Sequence, residues 1–360
     1  MRHRSSISSL ACAIGVAVAS LLAAPAADAP PAVDVRDRAL ALLHDGRFDA
    51  AETVLEAAVS AAPDDPGLSF LQAFATYWRL LYSPEDERLQ EHFEGQLFAT
   101  IELAEDARKR GDGDPGEIAL WNGSAHLLLA QLRASQRRPF GAAFEAKKAK
   151  KLLEQAVAAD SPPADSDFGI GTYKYYADQV PTLIKGLRAL LFIPGGDREE
   201  GLARLERAAR RSRYFALEAR ILLAAIYADD REGLFDLALA HSRTAVDDHP
   251  DMLAVLHGAA RLEMTLSRPE RARALTGHAL ALASRRPGTH PSVVATLRYH
   301  AARAEIAAFR PDRARTYLEA LRRQADSVPE DIADTFSRLQ RRVDELAGRR
   351  ETDVPDDDAR

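Results

Sequence analysis

Cysteine is almost absent: Cys12 alone stands in a chain of 360 residues. With no second thiol the chain can close no disulfide on itself and assemble no cysteine metal cage. Long apolar runs are equally scarce. Beyond Leu10 to Ala24 no stretch is long enough to span a bilayer. Charge of one sign is also missing, since 28% charged residues leave a net of only -6, so no nucleic-acid partner is expected. Histidines such as His92, His126, His241, His249 and His257 stand singly, with no His-Glu-x-x-His pair, and no Gly-x-Ser-x-Gly elbow occurs. Gly169 and Gly171 lack the third glycine of a dinucleotide fingerprint, and no glycine run ends in Lys-Ser or Lys-Thr. The sequence therefore nominates no catalytic residue, metal ligand or cofactor, and the expectation is a protein that is not an enzyme.

The N-terminus carries Arg2 and Arg4, then the apolar run of about 15 residues, then small residues, which is the pattern of a cleavable export signal. Cleavage after Ala26 is expected, removing residues 1–26 and with them the single thiol. A signal left in place would instead act as a short anchor. Export across a bacterial inner membrane implies a periplasmic or outer-membrane-associated location, with stability resting on packing alone.

What the chain has in abundance is spaced small residues. Ala51, Ala149, Gly201, Ala238, Ala272 and Ala314 each open one local pattern. Four residues on stands Leu55, Leu153, Leu205, Ser242, Thr276 or Leu318, and seven on usually Ala (Ala58, Ala156, Ala208, Ala245, Ala279). Such a ladder suits the second helix of a helix pair, where two backbones meet and only a small side chain fits. Pro63 and Pro250 close two of the units, and Pro269 and Pro311 open two others at a first-turn position where a missing N–H costs little. The steps between ladder residues are 98, 52, 37, 34 and 42, so the units are degenerate and the middle of the chain carries additional or longer helices.

This pattern resembles the tetratricopeptide repeat, which implies an all-α fold: an α-solenoid of degenerate helix pairs over residues 27–347, ending in a polar capping helix from Pro329 to Ala347. Residues 348–360, with Asp353 and Asp356 to Asp358, read as a disordered acidic tail. Between Trp121 and Tyr227 the runs Asp167-Phe168-Gly169-Ile170-Gly171-Thr172-Tyr173-Lys174-Tyr175-Tyr176 and Ile193-Pro194-Gly195-Gly196-Asp197 are similar to those of exported bacterial tetratricopeptide proteins of uncharacterised role. More loosely they resemble the eukaryotic inclusion-body-clearance repeat family. The resemblance implies an interaction protein and carries over no catalytic residue. Physically, Gly169 and Gly171 strip side chains from one helix face and permit close approach.

A stack of helix pairs offers a concave face lined by the first helix of each pair. Aligning three of them on Ala125, Ala260 and Ala302 puts Asn122, His257 and Tyr299 in one row and His126, Arg261 and Arg303 in the next. These six are the expected partner groove, since guanidinium donates two parallel bonds to a carboxylate. The alternative for the arginines is pairing with helix carboxylates inside the stack. The expected function is a scaffold or adaptor for a protein or peptide, with homo-oligomers also open. A second reading is a peripheral membrane protein docking through residues 173–192. There Tyr173, Tyr176, Lys185 and Arg188 flank an apolar stripe that serves equally as a core helix. The third is a helical enzyme acting on envelope polymers.

Overall fold

The computed structural model describes residues 34–83, 86–178, 195–324 and 330–352. Among these residues every regular element is an α-helix and no strand occurs. The helices pair in chain order: α1 (Val35–His44) with α2 (Phe48–Ala61), α3 (Pro66–Leu80) with α4 (Glu87–Arg110), and α5 (Pro115–Ser135) with α6 (Pro139–Val157). Next come α7 (Ser166–Asp178) with α8 (Arg198–Arg211), α9 (Ala216–Tyr227) with α10 (Phe235–Asp248), and α11 (Leu253–Thr265) with α12 (Pro269–Arg285). The last pair is α13 (Pro291–Ala307) with α14 (Pro311–Arg322), and α15 (Glu330–Thr352) packs on both as a cap. The molecule is an all-α solenoid.

Local chemistry sets the helix ends. Aspartates at 65, 86, 114 and 197 accept backbone N–H groups of the first turns of α3, α4, α5 and α8, satisfying donors that the helix leaves bare. Pro66, Pro115, Pro139, Pro269, Pro291 and Pro311 occupy first-turn positions, where proline costs no hydrogen bond. Inside five pairs the turn passes through one left-handed residue: Gly46, Arg137, Gly233, Ser267 or Phe309. In four of them the next N–H reaches back five residues, as from Arg47 to the Leu42 carbonyl at 2.9 Å and from Arg268 to Glu263 at 2.8 Å, the bond that ends a helix in a Schellman turn.

The small-residue ladder marks the contacts it was expected to mark. Ala51, Ala149, Ala238, Ala272 and Ala314 are fully buried, as are Leu55, Leu153, Leu205 and Leu318 one turn on. At Gly201 the approach is close: a methyl group there would stand 2.6 Å from the Tyr175 backbone nitrogen, and one on Gly171 would stand 3.0 Å from the Gly201 carbonyl oxygen. Glycine at both positions is what lets α7 and α8 touch backbone to backbone. Asp167 then accepts from Arg204 at 2.9 Å and from Arg207 at 3.0 Å, tying the same two helices at their rim.

One boundary differs from expectation: α15 continues past Gly348 to Thr352, so the first part of the expected disordered tail is helical. Residues 1–33, which include the expected signal, as well as 179–194 and 353–360, lie outside the described residues.

The inner side of the stack is not an open trough along its length. The Phe215 ring lies 5.7 Å from Phe74, 5.2 Å from Phe168, 6.1 Å from Phe70 and 6.4 Å from Trp121, gathering rings from α3, α5 and α7 into one buried hub. Buried Asp165 holds the loop bearing Phe215 by accepting the N–H groups of Tyr214 at 2.8 Å, Phe215 at 3.1 Å and Arg213 at 3.2 Å. The first pair meanwhile packs against much later ones. The His44 imidazole meets the Glu218 carboxylate at 2.7 Å, Arg286 reaches Asp45 at 2.7 Å, and the His290 N–H donates to the Gly46 carbonyl at 3.0 Å. Gly46 also faces Val293 so closely that a methyl there would stand 3.1 Å from its side chain. The solenoid curls until its first helices seal against α9, α11 and α13.

Candidate functional site

The expected groove row divides in two. Asn122 and His126, on α5, are 3% and 4% exposed, so neither lines an open face. His126 Nδ1 lies 2.6 Å from a Glu145 carboxylate oxygen, within its own helix pair. The physical reason is position in the stack. Helix α5 is enclosed by α3, α4, α6 and α7, and its inner side runs into the Phe215 hub through Trp121.

The other four residues come together on α11 and α13. Arg261 and Arg303 are exposed, while His257 and Tyr299 are half-buried. His300 joins them, its ring 4.8 Å from His257 and 5.2 Å from Tyr299, and the Arg303 guanidinium sits 5.7 Å over the Tyr299 ring. From the far side Tyr82, on the segment after α3, brings its ring to 5.8 Å from His257 and its hydroxyl to 3.5 Å from Nδ1. Phe48 backs Tyr82 at 5.9 Å. The sealing of the first pairs against the last is thus what builds one wall of this site.

Its electrostatics follow from burial and two cations. Burial, reinforced by the Arg261 guanidinium, pulls the His257 imidazole down to about 3. Burial and then His257, Arg261 and Arg303 pull His300 down to about 2. Burial pushes the Tyr82 phenol up to about 12. All three rings are therefore neutral near pH 7, and the positive charge resides on the two guanidiniums. Among the described residues neither arginine has a carboxylate partner, which sets them apart from neighbours such as Arg268 and Arg271, both beside Glu263. Among the described residues His257 Nε2 is buried with no hydrogen-bond partner, an unusual state for an interior polar atom. The arrangement can receive an anionic or hydrogen-bonding group. His300 lies one position off the aligned row and Tyr82 belongs to another helix pair, so neither leaves a periodic signal in the sequence.

Of the residues expected at a membrane, Tyr173 is buried and Tyr176 is 48% exposed, whereas Lys185 and Arg188, with the stripe from Val180 to Leu191, lie outside the described residues. Among the described residues no helix is long and apolar enough to cross a membrane, and no three His, Cys, Asp or Glu side chains gather as metal ligands would.

Ladder alanines at closed contacts, left-handed turns within pairs and consecutive pairing are all on one chain. The fold is an all-α solenoid of consecutive helix pairs. No protein-family model matches the chain, and no curated protein matches it. Among solved structures it is similar to the assembly chaperone of RpL4, Acl4, at 16% identity and a TM-score of 0.36, over 89% of this chain and 98% of that one. Yeast Tom70 is similar at 14% identity and a TM-score of 0.32, over 90% and 82%. The P58(IPK) TPR domain is similar at 14% and 0.28, over 87% and 99%. Likeness at this level decides nothing about what this chain holds.

Proposed function

We propose that this chain is an exported, non-enzymatic scaffold that holds a protein or peptide partner on the face formed by α11 and α13. The observation that carries the reading is the pair of exposed guanidiniums, Arg261 and Arg303, standing on successive inner helices without a carboxylate partner among the described residues. Each can clasp a carboxylate through two parallel bonds. The neutral His257 and His300 rings, tilted 49° to each other, give the anchored group a half-buried floor without competing for charge. Binding by this route is contact along a preformed surface with no turnover. The leader-like N-terminus supports a periplasmic or outer-membrane-associated location, which fractionation of the native cell envelope tests.

The binding test is affinity capture of the protein's partner from its own envelope, followed by titration against Arg261→Glu with Arg303→Glu. Reversing both charges is expected to weaken the partner by at least about tenfold, with unfolding stability unchanged because both side chains are exposed. Undiminished affinity in the double variant rejects this face as the site.

A further inference from the structure

Helix α6 turns an exposed stripe outward. Its contact with the stack is made through Ala149, Leu153 and Ala156, all fully buried. On an α-helix at about 100° per residue, Phe140, Phe144, Lys147 and Lys151 fall within about 40° of the direction opposite Ala149. The two phenylalanines are 61% and 59% exposed, and both lysines are exposed as well. Arg137 and Arg138, exposed in the turn that leads into the helix, continue the same end. Among the described residues none of Arg137, Arg138, Lys147 and Lys151 has an ion pair. Lys148 lies 4.5 Å over the Phe144 ring. The nearby acids are engaged on the flanks, Glu145 by His126 at 2.6 Å and Glu154 by Lys150 at 2.5 Å.

An exposed phenylalanine pair costs solubility and gains nothing for the fold, and a cationic stripe runs against the chain's net charge of -6. We propose that this outward face of α6 is a contact surface for an anionic lipid membrane. Phenylalanine at the level of the acyl boundary with lysine and arginine among headgroup phosphates is the pairing that holds amphipathic helices at an interface. The occupant is lipid rather than an acidic protein segment because the stripe faces outward from the helix. It has rings to insert and cations around them. Two rings and four free cations give reversible, salt-sensitive attachment, and they keep the α11–α13 face, on other helices, free for a partner. The proposal stands independently of that face.

The test is local, so that it reads α6 and not any other route by which the full chain reaches a vesicle. Phe144→Trp places an indole on the stripe, while Trp78 and Trp121, 7% and 2% exposed, remain out of a quencher's reach. With vesicles of brominated phosphatidylglycerol the residue-144 fluorescence is expected to be quenched. The quenching is expected to vanish with brominated phosphatidylcholine alone or at about 0.5 M salt. Adding Lys147→Glu and Lys151→Glu should raise the lipid concentration needed roughly tenfold or more. An unquenched indole on the anionic vesicles overturns the proposal, as does equal quenching by neutral ones. An emission shift with polyglutamate but not with anionic vesicles would assign the stripe to an acidic protein instead and equally overturn it.

Discussion

Phe215→Ala is expected to cost about 4 kcal/mol of unfolding stability, at the upper end of what a single core truncation removes. The ring is 2% exposed and touches aromatic side chains from three different inner helices. Its loss opens a cavity that no single neighbour can fill, because Phe74, Phe168 and Trp121 are each fixed in their own helix pair. In a solenoid with an open concave trough the same ring would line solvent, and truncating it would cost well under about 1 kcal/mol. Urea unfolding of the variant beside the parent separates the two. A small shift would mean that the inner side is not sealed as described.

Acid is expected to destabilise the protein in the range where histidine titrates, before the carboxylates do. His257 and His300 are held neutral in the fold by burial, with His257 drawn down to about 3, whereas an unfolded histidine titrates near 6.5. Between those values the unfolded chain binds protons that the folded chain refuses, so stability is lost as pH falls below about 6.5. Each such histidine removes about 1.4 kcal/mol per pH unit below that point, and the pair together about 4 kcal/mol between roughly pH 7 and pH 5. His126, His249 and His290, also lowered mainly by burial, act in the same direction. Carboxylates held low by their ion pairs, such as Glu200 beside Lys174 and Glu206 beside His241, lose their contribution only further down. Urea midpoints at the two pH values measure the loss. In a His257→Phe, His300→Phe protein the difference should shrink by about half or more. An unchanged difference would show that these rings are not held neutral in the fold.

The sequence shows the second helices of most pairs because their closest contacts use alanine or glycine at a fixed spacing, and packing geometry permits little else there. It hides the second pair for a chemical reason. Where α3 meets α4, buried Thr100 bonds Ser69 through its hydroxyl at 2.9 Å, so a threonine stands where the other second helices open the pattern with alanine or glycine, and the ladder skips from Ala51 to Ala149. The aligned row of Asn122, His257 and Tyr299 is legible as one helix position, but repeat alignment carries no information on what covers that position. Asn122 is closed over by neighbouring helices while Tyr299 stays half open. The sealing of the first pair has no periodic trace either, since Asp45 and Arg286 meet across 241 residues of chain. Tyr82 enters the site through that same closure. Lys147, Lys148, Lys150 and Lys151 stand together in the sequence, yet only the burial of Ala149 and Leu153 fixes which way the phenylalanines of α6 point.

The solenoid curls far enough for its first helix pair to seal against the last ones. Spin labels at Ala41 on α1 and Arg285 on α12, both exposed, measure this directly once Cys12 has been replaced. The structure predicts a separation of about 20 Å or less, one helical turn and two label arms from the Asp45–Arg286 ion pair. An open stack, stepping about 8–10 Å per pair over the five steps from the first pair to the sixth, predicts about 40–50 Å, and a distribution centred there would show that the first pair does not seal against the last ones.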